Sequence, residues 1–96
     1  MLTLPLLMTL VTQPDEGSGC GHVRATSINE GVGWSHYVEI TNVCDVPIEC
    51  LVATDVDPWP EYFVVVPSRD TERVRTRFGS AFAVYTPIVS CTIDDG

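Results

Sequence analysis

Short apolar runs rich in β-branched and aromatic residues alternate with glycine- and proline-rich clusters along most of this chain. Such spacing is typical of an all-β sandwich or small barrel. The run that begins at Trp34 alternates apolar and polar positions as a half-buried strand does, and with the next run it predicts a β-hairpin over 34–54. Pro87 marks an edge or a bulge in the last run. The predicted strands are residues 21–28, 34–43, 48–54, 61–66, 71–78 and 81–93. They predict a small six-stranded antiparallel sandwich, immunoglobulin-like or of a related Greek-key type.

The chain begins with an apolar run within residues 1–12 that is too short to cross a bilayer as a helix, which takes about 20 residues. Its length suits a signal-peptide core, although no basic residue precedes it, or an extra strand. Residues 13–19 are polar and glycine-rich, a composition typical of a linker. We therefore expect one folded β-sandwich domain over residues 20–96.

Charge and size restrict the partners and the stability of this domain. The 96 residues include thirteen acids, five arginines and no lysine, so the formal net charge is −8. A field of that sign repels phosphate backbones and anionic lipid, which disfavours nucleic acid and anionic membrane surfaces as partners. A chain this short builds a small core that stabilises the fold by only about 3–5 kcal/mol, so we expect covalent staples.

The four cysteines are the candidates for those staples. Their spacing lacks the close Cys-x2-Cys pairs typical of zinc sites, so we expect disulfides and no metal. Cys20 opens the first predicted strand and Cys44 closes the second, which places them at the same end of an antiparallel pair. Cys50 and Cys91 are placed in the same way at the third and last strands, so these two pairs are favoured. The rival set joins Cys44 to Cys50 and Cys20 to Cys91. Either set predicts a secreted, extracellular or periplasmic protein.

The stretch from Cys44 to Cys91, with its Val-rich strand ending at Pro67, resembles the tendamistat-type α-amylase inhibitors. That resemblance implies a two-disulfide, six-stranded sandwich. The inhibitors of this family act through a Trp-Arg-Tyr triplet between the first two cysteines. The corresponding residues of this chain are 34–37, Trp-Ser-His-Tyr, with no arginine and one residue more.

Candidate contact residues point to binding rather than to catalysis. Trp59 lies between two prolines, which pre-order a loop and lower the entropy cost of docking. Alternate positions of one strand hold Arg73, Arg75 and Arg77, which form a basic stripe suited to an acidic partner or to a second copy of the chain. Neither histidine has a recognisable nucleophile turn near it. We therefore expect a non-catalytic binding or structural module without a cofactor. The alternative is an inhibitor of a secreted glycosidase or protease that presents the segment from Trp34 to Tyr37, or Trp59.

Overall fold

The computed structural model describes residues 7–57 and 61–94, which form a sandwich of two four-stranded β-sheets. This confirms the predicted all-β sandwich. The described strands are β1 (Leu7–Pro14), β2 (Glu16–Gly17), β3 (Gly21–Asn29), β4 (Trp34–Asn42), β5 (Ile48–Thr54), β6 (Tyr62–Val66), β7 (Thr71–Ser80) and β8 (Pro87–Ile93). Six of them match the predicted runs to within a few residues, and β1 and β2 are additional.

The first sheet has the strand order β1-β3-β4-β7, and the second has the order β2-β8-β5-β6. The pairs are antiparallel except for β2 and β8. The hairpin predicted over 34–54 is wrong, because β4 and β5 lie in different sheets. At the end of β4 the Asn42 amide donates to the carbonyls of Val46, Val66 and Pro67, at 2.8 to 3.2 Å, and so holds the crossing between the sheets.

The core lies between the two sheets and is built from alternate residues of the strands. Because successive strand side chains point to opposite faces, each strand contributes every second residue to this layer. The aliphatic residues of this core are Val23, Ala25, Val38 and Ile40 of the first sheet and Ile48, Val52, Val66 and Val89 of the second. The interior is thus made mainly of small β-branched side chains, as the composition predicts.

Two disulfides join the strands in the favoured pairing. Cys20 is bonded to Cys44, 24 residues away, and Cys50 to Cys91, 41 residues away. Cys50 and Cys91 lie directly opposite each other in the antiparallel pair of β5 and β8 and are fully buried. All four cysteines are therefore paired. Two disulfides in so small a domain are consistent with an oxidising, extracellular environment.

The segment before Cys20 is folded onto the domain, which corrects the linker predicted for residues 13–19. β1 pairs with β3, and Glu16 and Gly17 pair with β8. Asp15 is buried, and its carboxylate accepts hydrogen bonds from the backbone of Ser18, Gly19 and Gly21, at 3.0, 3.4 and 2.5 Å. This side chain organises a polar segment that composition alone marks as a linker.

The last predicted strand is shorter than expected, because Pro87 begins β8 instead of interrupting it. Residues 81–86 form a connection that packs on the first sheet. The buried Tyr85 hydroxyl donates to the carbonyls of Thr26 and Tyr37, at 2.9 and 2.6 Å. The ring of Tyr85 stacks on His36, with 4.1 Å between centroids. These contacts replace the ladder that a longer strand would make.

Candidate protein-binding face

The outer surface of the first sheet has three of the five arginines of the chain. Arg73 and Arg75 are exposed on β7, and Arg24 is exposed on β3. Tyr37 of β4 lies between these two strands. We call the surface of these four side chains the arginine face. The stripe predicted from alternation is interrupted, because the pairing of β4 and β7 shifts between Tyr37 and His36, so Arg77 lies opposite the buried His36 and off this face.

Aromatic rings support two of these guanidinium groups. The Arg73 guanidinium carbon lies 4.4 Å from the centroid of the Tyr37 ring, and that of Arg75 lies 5.3 Å from the Phe78 ring. Both distances are within the range of cation–π attraction. Phe78 is 57% exposed, and its ring lies beside Arg75 beyond the register shift of β7. The rings restrict the positions of both cations and leave their charge in place.

Three ion pairs involve the other arginines. Arg77 lies 2.7 Å from an Asp57 oxygen, and Arg24 lies 3.9 Å from Glu39. Away from the face, Arg69 lies 2.8 Å from Asp45 and lowers the pKa of that carboxyl through a hydrogen bond and its charge. Among the described residues, therefore, no carboxylate lies within ion-pair distance of Arg73 or Arg75.

The segment from Trp34 to Tyr37 lies inside β4, an inner strand of the first sheet. Ser35 and His36 are fully buried, and the His36 Nε2–H donates a hydrogen bond to the Phe82 carbonyl at 2.6 Å. Trp34 is half-buried at the start of the strand, opposite Ser80 of β7. Only Tyr37 joins the arginines, so the structure separates the two aromatic residues that the sequence grouped together.

Trp59, the other predicted anchor, lies outside the described residues, but the start of its loop is described. The Asp55 carboxylate accepts a hydrogen bond from the backbone of Thr86 at 2.8 Å. The Asp57 backbone donates to the Thr54 hydroxyl at 3.1 Å. With its ion pair to Arg77, Asp57 therefore connects this loop to the border of the arginine face.

A second exposed surface was missed by the sequence analysis. The outer face of the second sheet presents Leu51, Phe63, Val65 and Ile88, each at least 42% exposed. The continuous apolar sequence of β6 is typical of a strand that is buried on both faces. β6 is instead the edge strand of its sheet, so one of its faces remains open to solvent.

Comparison of the chain with protein-family models, with curated proteins and with solved structures finds no match. The resemblance to the tendamistat-type inhibitors therefore stays a prediction. The part of the chain that the structure describes contains no pocket and no cluster of three or more side chains suited to a metal ion. It also contains no helix that is long and apolar enough to span a membrane.

Proposed function

We propose that this chain is a secreted, non-catalytic module that binds an acidic protein partner through the arginine face. One observation carries the proposal. Arg73 and Arg75 are exposed, adjacent on one face and without a carboxylate partner among the described residues, although the chain has more than twice as many acids as arginines. Glu39 lies directly opposite both Arg24 and Arg73 and forms its ion pair with Arg24, which leaves Arg73 and Arg75 to an external anion. Complementary charge fixes both partner choice and orientation.

The rest of the structure supports a binding role for this surface. Arginine is enriched at protein interfaces because its planar group binds carboxylates with two parallel hydrogen bonds. The rings of Tyr37 and Phe78 hold the two guanidinium groups in defined positions, which lowers the entropy lost on docking. The disulfides support secretion, because such bonds persist in oxidising compartments.

The test compares two peptides in titrations followed by fluorescence anisotropy. One peptide contains four glutamates, and the other has glutamine at the same four positions. We expect binding of the acidic peptide at low salt, with loss of affinity as screening increases. The double variant R73Q/R75Q should bind it about two- to thirtyfold more weakly, the range for two exposed charge pairs.

The control is Arg69→Gln, which removes one positive charge from the β6–β7 turn, away from the face, where the double variant removes two. Its affinity should stay within about twofold of the unmodified chain, because Arg69 already has Asp45 as its partner. Equal binding by the control and the double variant would show that net charge, and not this face, governs the interaction. No binding of either peptide at low salt would refute the proposed function.

A further inference from the structure

β7 is an edge strand of unusual length and is the strand that presents the arginines. It has ten residues, Thr71–Ser80, and only β4 pairs with it among the described strands. One row of its backbone N–H and C=O groups therefore has no ladder partner within residues 7–57 and 61–94. An edge of this kind can accept a further strand from another chain, whose main chain supplies the hydrogen bonds.

The spacing of the unpaired arginines fits such a strand. Arg73 and Arg75 are two residues apart in an extended strand, so their Cα atoms are separated by about 6.6–6.8 Å. Residues at alternate positions of an added strand have the same separation. Directly opposite residues of paired strands have Cβ atoms about 4.5–5.5 Å apart, close enough for a carboxylate to meet a guanidinium group. The edge thus selects for acids at every second position.

The described strands of a second copy do not supply that pattern. If β7 paired with itself in antiparallel orientation, arginines would face arginines across the new ladder, which is destabilising. Among the described strands, none has two acids at alternate positions. Single acids occur in four strands, as Glu16, Glu39, Glu49 and Glu72. Acids at alternate positions do occur outside the strands, as Asp55 with Asp57, and Asp70 begins such a pair with Glu72 of β7. The carboxylates of Asp55, Asp57 and Asp70 already bind Thr86, Arg77 and Thr71. We therefore assign the complementary strand to a different polypeptide.

We propose that the β7 edge binds an extended segment of another protein in which acidic residues alternate with β-branched residues, so that it becomes a fifth strand of the first sheet. This inference rests on the proposed function, since it specifies how the partner engages the arginine face. Backbone hydrogen bonds supply affinity, and the pair of acids opposite Arg73 and Arg75 supplies register.

The experiment separates strand addition from simple charge attraction. One peptide alternates glutamate with valine or threonine, and a second of identical composition has its glutamates in one block. Two further versions of the alternating peptide have backbone N-methyl groups at every second residue, on either of the two sets. N–H groups of successive residues point to opposite edges of a strand, so those of every second residue face the same edge. Only one set faces β7, so its methylation should abolish binding and methylation of the other set should be tolerated.

We expect the alternating peptide to bind at least tenfold more tightly than the blocked one, with R73Q/R75Q removing most of that preference. Equal affinity for both arrangements, together with tolerance of both methylation patterns, would overturn strand addition and leave the proposed function standing. Dextran sulfate at equal charge serves as a competitor. If it binds as tightly as the alternating peptide, the surface is a general polyanion site, and strand addition is overturned in that case too. Failure of every anionic probe to bind would overturn both proposals.

Discussion

Asp15 gives the sharpest test of the fold, because its segment has the composition of a linker. The change is Asp15→Ala, which removes a buried carboxylate that accepts three backbone hydrogen bonds and a further one from the Ser18 hydroxyl. The bond from Gly21 is the shortest of these and is buried. Gly21 also has no room for a side chain, since a Cβ there would lie 2.7 Å from an Asp15 oxygen. The Asp15 carboxylate therefore needs both the N–H group of Gly21 and the absence of a side chain there.

The expected loss follows from the burial of each donor. The Gly21 N–H would be left without an acceptor in the interior, which costs about 1–3 kcal/mol. The N–H groups of Ser18 and Gly19 lie nearer the surface, where water replaces the lost acceptor, so together they add about 1 kcal/mol at most. We expect the free energy of unfolding to fall by about 2–3 kcal/mol. For a domain of this size that lowers the melting temperature by about 10–20 °C.

Thermal and urea unfolding followed by circular dichroism measure this change with disulfides intact. Asp15→Asn keeps one oxygen acceptor and should lose less stability than Asp15→Ala. Glu16→Ala, which removes an exposed neighbouring carboxylate, should stay within about 0.5 kcal/mol of the unmodified chain. If Asp15→Ala lowered the free energy of unfolding no more than Glu16→Ala, the Asp15 carboxylate would contribute nothing to stability. Residues 13–19 would then behave as the linker that composition suggests.

The remaining predictions concern Tyr85, in the connection formed by residues 81–86, and the two disulfides. Replacing Tyr85 by Phe removes two hydrogen bonds to carbonyls of the first sheet and should cost about 1–2 kcal/mol in urea unfolding. Burial raises the pKa of the Tyr85 hydroxyl, so its contribution is present below its ordinary value of 10.0 and is lost as the pH rises above it. Stability measured from pH 8 to 11 should therefore fall more in the unmodified chain than in Tyr85→Phe; parallel curves would contradict this. Replacing Cys20 and Cys44 by Ala opens a 24-residue loop, at a cost of about 3 kcal/mol. Replacing Cys50 and Cys91 opens a 41-residue loop and leaves a core cavity, so it should cost more than about 4 kcal/mol by the same assay. An equal or smaller loss for this second pair would refute the ranking.

The disulfide pairing could be predicted from the sequence, because it depends on local alternation and on antiparallel order. Cys50 and Cys91 each share a strand face with apolar neighbours, and that parity survives in the fold. The position of β5 followed equally from local signals, with Pro47 before it. Where a strand joins its neighbours is a different question. The chain crosses to the other sheet after β4, and the contacts at that crossing, such as the Asn42 amide with the carbonyls of Val66 and Pro67, join residues distant in sequence.

In the candidate site, too, some features follow from local sequence and others depend on distant contacts. Alternation placed Arg73 and Arg75 on one exposed face, and the structure agrees. The ring of Tyr37 beneath Arg73 could not be inferred, because it depends on the register between β4 and β7, which are separated by 28 residues of sequence. Trp59 as a contact residue stays a prediction. The missed apolar surface has a related cause, since a run of valines does not reveal whether its strand lies inside a sheet or at its edge.

The two edges of the sandwich beside the β6–β7 turn illustrate how charge separates binding from aggregation. β6 is short and has no charged side chain, whereas β7 is twice as long and has three arginines. A long edge that lacked charge would pair with its own copies, because the free backbone groups are identical and nothing opposes the approach. The arginines of β7 penalise that pairing and favour an acidic strand, so one set of side chains both blocks self-association and selects the partner. Variants that remove the charge should therefore lose the acidic ligand and gain self-association together. Sedimentation of R73Q/R75Q over a range of concentrations, compared with Arg69→Gln, tests this coupling, and a double variant that loses the peptide yet stays monomeric would break it.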